Sequence, residues 1–318
     1  MKSVCDNDRA PVYRILHTTD FSHASNVAFL HALVIALAAR AELNILHVSR
    51  PGDELDWSQF PGVRRTLQGW AELRDTTSRD TVAGAGLRVG KILGVDAEPV
   101  RSVLEYLKLY PTELIVLATH QRTGPGRLFH TATAGPIARG SGEMTLFLPE
   151  GVEGFVSRRN GARVLRQILI PVDRTPAPQG VVDGVSELLD GLGCSEARMT
   201  LLHVGEERSM PWVRGAGGRD RRWEYIVRRG DPVEEIVRAA DERAAGLIVM
   251  TTEGRHGFLD AFRGSTTERV LRRAACPVLA VPAGSRAMAR LFRAGPSARE
   301  MYLPAGAGEM AWSPGRQP

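Results

Sequence analysis

Residues 251–268, TTEGRHGFLDAFRGSTTE, hold the densest set of groups able to meet an anion. Gly254 and Gly264 are separated by nine residues, and Gly264 is followed at once by Ser265 and Thr266. Ser265-Thr266-Thr267-Glu268 has the form of a capping box, which starts a helix at that point. A helix start offers unpaired N–H donors and a partial positive charge, the complement of a phosphate. Gly264 would let a phosphate approach the backbone, Ser265 and Thr266 would add hydroxyl donors, and Arg255, His256 and Arg263 would add charge. The same residues read as well as a plain N-cap with two turns and solvated cations. Asp173 ends the apolar run QILIPVD (residues 167–173). Its carboxylate could accept from an adenine amino group or a ribose hydroxyl, or could cap the following helix.

Other chemistry finds little footing. Gly90-Lys91-Ile92 lacks the Ser or Thr that follows GK in a Walker loop, and no G-x-S-x-G elbow occurs. Cys5, Cys194 and Cys276 are odd in number, far apart and never in a C-x-x-C pair, so they imply neither a disulfide framework nor a zinc site. No histidine, carboxylate and nucleophile form a persuasive set, and no metal site is expected. His47 and His203 recur at the ends of matching strands, which points to architecture.

The elements that must position these groups come in two copies. A shift of 133 lays Pro99 and Val100 over Pro232 and Val233, LIVL (residues 114–117) over LIVM (residues 247–250), and Phe129 over Phe262. Nearer the start of each half, Ile15, Leu16 and Asp20 lie over Ile168, Leu169 and Asp173. Leu46-His47-Val48 matches Leu202-His203-Val204 between these blocks. Each half alternates short apolar runs with helical stretches, the pattern of a parallel sheet covered on both faces. Strands are expected over residues 13–18, 42–48, 87–92, 113–118 and 144–149, then 167–173, 199–204, 223–230, 247–252 and 276–282. Asp231-Pro232-Val233-Glu234 opens a helix with Asp as N-cap and Pro at the first helical position. Residues 53–86 add a helical segment with a charged face to the first copy. Ligands of such sheets gather at strand carboxyl ends where the strand order reverses.

The balance of 43% hydrophobic and 24% charged residues is that of a folded globular chain. The opening MKSVCDNDRA lacks the apolar core of a signal peptide, and no run suits a membrane span, so a cytoplasmic location is expected. Of the net charge of +5, three come from the tail after residue 284, where five arginines face two glutamates. With no basic stripe elsewhere, nucleic acid is not the expected partner.

IPVD at the first strand of the second copy, LLHV at the second, and the Gly254–Gly264-Ser265-Thr266 spacing before ERVLRRAACPVLAVP resemble the universal stress protein family. The resemblance implies two tandem Rossmann-like domains of the adenine nucleotide alpha hydrolase-like type, each a five-stranded parallel sheet with helices on both faces. Their spans would be residues 11–150 and 164–283, followed by a disordered tail, residues 284–318. It implies ATP, with Mg²⁺, in the second domain alone. Pro171, Val172, Asp173 and the backbone near Val204 would meet the adenosine. Met250, Thr251 and Gly254 would line the middle, with Arg255 beside it and Gly264, Ser265 and Thr266 at the phosphates. Thr251 stands where the family has glycine. In the first copy Gln121, Thr131 and Ala132 replace Gly254, Gly264 and Ser265, so that copy is expected to be a structural partner only. The two copies would pack as an intramolecular pseudo-dimer through their last strands, and a homodimer of the whole chain is possible. The expected role is that of a nucleotide-responsive regulator of an unidentified protein partner, not an enzyme. The alternatives are an adaptor that binds no nucleotide and a slow ATP hydrolase.

Overall fold

The computed structural model describes residues 13–53, 56–70, 87–119, 131–214, 223–252, 265–293 and 309–312. In the first copy the elements are β1 (Arg14–Thr18), α1 (His23–Ala39), β2 (Glu42–Ser49), α2 (Val63–Gly69), β3 (Arg88–Val95), α3 (Pro99–Leu109), β4 (Leu114–Thr119), α4 (Thr131–Ser141) and β5 (Met144–Pro149). In the second they are β6 (Gln167–Pro171), α5 (Gln179–Gly191), β7 (Arg198–Val204), β8 (Trp223–Arg228), α6 (Pro232–Glu242), β9 (Leu247–Thr252), α7 (Thr266–Leu271) and β10 (Val278–Pro282). The chain ends with α8 (Ala287–Arg293) and β11 (Glu309–Trp312).

All strands share one sheet, ordered β11-β3-β2-β1-β4-β5-β10-β9-β6-β7-β8. Within each copy the pairs are parallel; the copies meet where β5 runs antiparallel to β10, with Leu146 opposite Leu279. The strands that each copy buries on both faces are its apolar runs, such as Leu114–Thr119, whose first four residues are buried. Towards the edge the pattern loosens, and β8 alternates half-buried with exposed residues. Helices α1, α2, α5 and α8 cover one face and share one apolar core with the sheet; α3, α4, α6 and α7 cover the other. Because β5 and β10 are antiparallel, the strand carboxyl ends of the two copies lie at opposite edges of the sheet.

The segment between the copies is ordered by α1. His31, fully buried, donates from Nδ1 to the Val27 carbonyl at 2.9 Å and accepts the Phe155 N–H at Nε2, 3.0 Å away. Gly154 makes this approach possible: its φ is +73°, and a Cβ there would sit 2.5 Å from His31 Cε1.

The tail departs from expectation. Residues 284–318, expected to be disordered, include α8 and β11. Ala287, Met288 and Leu291 form an apolar stripe buried against α5 and the seam between the copies. Gly191 of α5 leaves room for Phe292, since a Cβ there would lie 2.8 Å from Phe292 Cε1. β11 adds in parallel to β3, with Glu309 opposite Lys91. A composition rich in Gly, Ala, Pro and Arg hides this, because a seven-residue helix and a four-residue strand draw their order from surfaces built elsewhere in the chain.

Candidate functional site

In the second copy the chain leaves β6 for β7 and β8, then crosses to β9 and β10 on the other side. The order reverses between β6 and β9, so their carboxyl ends flank the crevice where α/β sheets hold ligands. Pro171 is the last residue of β6, Val204 of β7 and Thr252 of β9. The three strand ends converge as the sequence pattern requires.

The β6 end is tied down firmly. Val172 donates its N–H to the Leu202 carbonyl at 2.8 Å, and its own carbonyl accepts from His203 Nδ1 at 3.1 Å. His203 Nε2 lies 2.7 Å from Ser209 Oγ. The Arg174 guanidinium donates to the Arg208 carbonyl at 2.8 Å and the Ser209 carbonyl at 3.3 Å. Together His203 and Arg174 clamp the turn after β7 onto the end of β6. The first copy repeats the histidine bond, His47 Nδ1 donating to the Thr19 carbonyl at 2.7 Å, so this histidine pair is architectural.

Asp173 is exposed, and its Oδ1 accepts the N–H of Arg174 at 2.7 Å. It does not cap a helix: α5 begins six residues later, behind Pro178. The intervening RTPAP (residues 174–178) carries two prolines that delay the helix. Asp20, its counterpart, accepts the N–H of Ser22, which is itself the N-cap of α1.

On β9, Met250 is buried in the apolar core with Leu169 and Ile248, so only its backbone can face the crevice. Thr251 is half-buried on the opposite face of the strand. Thr252 is 7% exposed, and its buried Oγ1 has no hydrogen-bond partner among the described residues. A buried hydroxyl without a partner costs about 1–3 kcal/mol.

Ser265 has extended backbone (φ −65°, ψ 159°) and caps α7, its side chain accepting from the Glu268 N–H at 3.2 Å. Thr266, the first helical residue, is exposed. The helix is oriented from α6 by two ion pairs. Arg269 reaches both oxygens of Asp231 at 3.4 Å, and Arg273 pairs with Glu234. Asp231 also caps α6, accepting from Val233 and Glu234 N–H at 3.0 and 3.1 Å. The bond from the Glu234 N–H is the main cause holding its carboxyl below the ordinary range. Gly254, Arg255, His256, Arg263 and Gly264 lie outside the described residues.

The first copy differs at this point in its backbone. Ala132, the counterpart of Ser265, lies inside α4, which already starts at Thr131. The second copy's helix starts at Thr266 behind a capping serine, whereas the first copy's helix starts two residues earlier in the repeat, at Thr131.

Sequence reasoning missed Thr252, Arg174 and Ser209. The shift of 133 pairs Thr252 with Thr119, whose hydroxyl is likewise buried without a partner among the described residues, so this feature is common to both copies. Among the described residues no group of three or more His, Cys, Asp and Glu could hold a metal ion, and no helix is long and apolar enough to cross a membrane.

A family profile described as the Universal stress protein family matches residues 12–147 and 213–282. The chain belongs to the universal stress protein family. A universal stress protein of Methanocaldococcus jannaschii is 48% identical over 52 residues, which is 16% of this chain and 31% of that relative. The fold matches a universal stress protein from Archaeoglobus fulgidus with a TM-score of 0.56 at 17% identity, over 85% of this chain and 98% of that one. A protein of unknown function from Pseudomonas aeruginosa matches with a TM-score of 0.56 at 16% identity, over 89% and 96%. The fold of this family member is thus the Rossmann-like, adenine nucleotide alpha hydrolase-like one. The profile passes over residues 148–212, which include β6 and β7. The place of Asp173 and Val204 in the site therefore rests on the strand order and the internal repeat.

Proposed function

We propose that this universal stress protein binds ATP, with Mg²⁺, at the carboxyl edge of the second copy, and that nucleotide occupancy regulates an unidentified protein partner. The observation that carries the reading is the backbone at Ser265. At the carboxyl edge where the strand order reverses, α7 starts behind the extended cap Ser265, whose hydroxyl takes the Glu268 N–H, so the Thr266 and Thr267 N–H groups would be the donors to an anion. Asp173 offers an exposed carboxylate for the adenosine at the end of β6. Gly264, Ser265 and Thr266 would hold the phosphates, with Gly254 and Arg255 beside them. Mg²⁺ would be bound chiefly by the phosphates and water.

The first copy, with Ala132 inside its helix, is a structural partner on this reading, and the chain has one site. Binding without turnover is proposed, because the sequence carries no Walker loop and no G-x-S-x-G elbow. Titration calorimetry of the full chain with MgATP should give one site. Gly264→Val should abolish it by placing side-chain atoms against the phosphates, while Thr131→Val leaves it intact. Two sites, or equal loss from both variants, would refute the assignment; no heat and no copurified nucleotide would leave the chain an adaptor.

A further inference from the structure

The bonds around His203 in the second copy are one proton short while its ring is neutral. Nδ1 faces the Val172 carbonyl at 3.1 Å, so the single ring proton of the neutral form sits there and Nε2 is bare. Nε2 lies 2.7 Å from Ser209 Oγ, and that same Oγ lies 2.6 Å from the Glu206 carbonyl. Three contacts of this length need three protons, and a neutral imidazole with one hydroxyl carries two. The imidazolium supplies the third: Nδ1–H to Val172, Nε2–H to Ser209, and the hydroxyl proton to Glu206. The Glu206 carbonyl also accepts the Ser209 N–H at 2.8 Å, so only the hydroxyl proton is contested.

His31 is built the opposite way. Its Nε2 accepts a backbone N–H, which cannot turn round, so a second ring proton is excluded. The Ser209 hydroxyl can turn, because the Glu206 carbonyl waits on its other side. The turn is shaped for this contact: a Cβ at Gly205 would lie 2.7 Å from His203 Nε2 and 3.3 Å from Ser209 Oγ. In the first copy the Nδ1 bond recurs at His47, but that ring stacks on Phe21 with centroids 4.1 Å apart, and among the described residues no hydroxyl meets its Nε2. The Nδ1 bond is thus shared framework, and the serine belongs to the second copy.

We propose that His203 is an acid-sensing latch, whose protonation completes the chain Val172–His203–Ser209–Glu206, fixes the turn after β7 onto the end of β6 and so tightens MgATP binding there. The last step rests on the nucleotide reading above. Proton and nucleotide favour the same closed turn, and each therefore raises the affinity for the other. The charged groups on the elements around the ring are Asp173 and Arg174 after β6, Glu206, Glu207 and Arg208 in the turn, Asp183 on α5 and Arg228 on β8. Arg208 pairs with Glu206, Arg228 with Glu235 and Glu242, and Arg174 is engaged by the Arg208 and Ser209 carbonyls.

Nitrogen–proton NMR of the full chain reads the ring directly, its signal being the one that His203→Gln removes. Ser209→Ala takes away the acceptor for Nε2–H and should lower the proton affinity of His203 at least about fivefold, the order of one charge-assisted hydrogen bond. Ser209→Thr keeps the hydroxyl and should retain the wild-type value. Calorimetry gives the functional half. The ratio of MgATP affinities, wild type over Ser209→Ala, should be at least about threefold larger at pH 5.5 than at pH 7.5, across the range in which histidines change charge. Protonation of the nucleotide itself is common to both chains and cancels. Equal proton affinity in wild type and Ser209→Ala overturns the latch, and a ratio that does not move with pH overturns its control of binding. A chain that binds no MgATP at either pH would sink the nucleotide reading and that control together, while the NMR comparison still decides the latch.

Discussion

Lowering the pH should destabilise the first copy through His31, and replacing that residue isolates the effect. The ring is fully buried, and burial lowers its pKa from 6.5 to about 4, outweighing the Val27 carbonyl that favours the charged form. The geometry gives the reason. Nε2 accepts the Phe155 N–H, so a proton on Nε2 would set donor against donor. The unfolded chain protonates this histidine below about pH 6.5 while the folded chain resists until about 4. Between those values the unfolded state binds more protons, so stability is full above the window and falls as pH drops through it. At pH 4.5 the loss from this one group is about 2.5 kcal/mol. His31→Gln keeps an acceptor for Phe155 but does not titrate. It should cost about 1–3 kcal/mol at pH 7.5 from altered packing and a shifted hydrogen bond. Urea unfolding of both chains at pH 7.5 and 4.5, followed by circular dichroism, gives the comparison. Every carboxylate titrates equally in both, so the gap between wild type and variant should narrow, or reverse, by about 2.5 kcal/mol at the lower pH. A gap that stays constant would refute the account of His31 as a neutral, doubly bonded link.

Other perturbations test other joints of the structure. Gly154→Ala puts a methyl group against the His31 ring from a backbone with positive φ, and should lower stability by about 2–4 kcal/mol in the same urea assay. Ser265→Ala removes the acceptor for the Glu268 N–H and should cost about 1 kcal/mol in stability, with a matching weakening of MgATP binding in calorimetry. Gly191→Leu should expel Phe292 and α8 from the α5 groove, so limited proteolysis should cut the tail at least tenfold faster while the rest of the chain resists. Burial pushes the Cys276 thiol up to about 12 and raises that of Cys194, so a thiol reagent at pH 8 should leave both unmodified until denaturant is added.

Much of the architecture is written locally. The shift of 133 and the recurring Leu-His-Val blocks establish two copies of one fold, because each copy must bury its own strands. The strands follow from short apolar runs, and the caps at Asp231 and Ser265 follow from side chains that bond their own helix starts. That the carboxyl ends of β6, β7 and β9 share one edge also follows, once strand alternation makes the sheet parallel. What the linear pattern could not supply is whatever depends on residues far apart in the chain. His31 looks like one more position of an apolar helix until Phe155, 124 residues away, donates to it. The tail reads as formless because its helix and strand are too short to hold themselves; α5 and β3 order them. Thr252 is an ordinary strand threonine in sequence, and only the packed sheet buries its hydroxyl without a partner among the described residues. The ends of the sheet belong to the same class: six residues spell the strand β8, but only the pairing of the whole sheet places it at one edge and β11 at the other. Propensity and periodicity act over a few residues, whereas burial and strand pairing are settled by the whole chain at once.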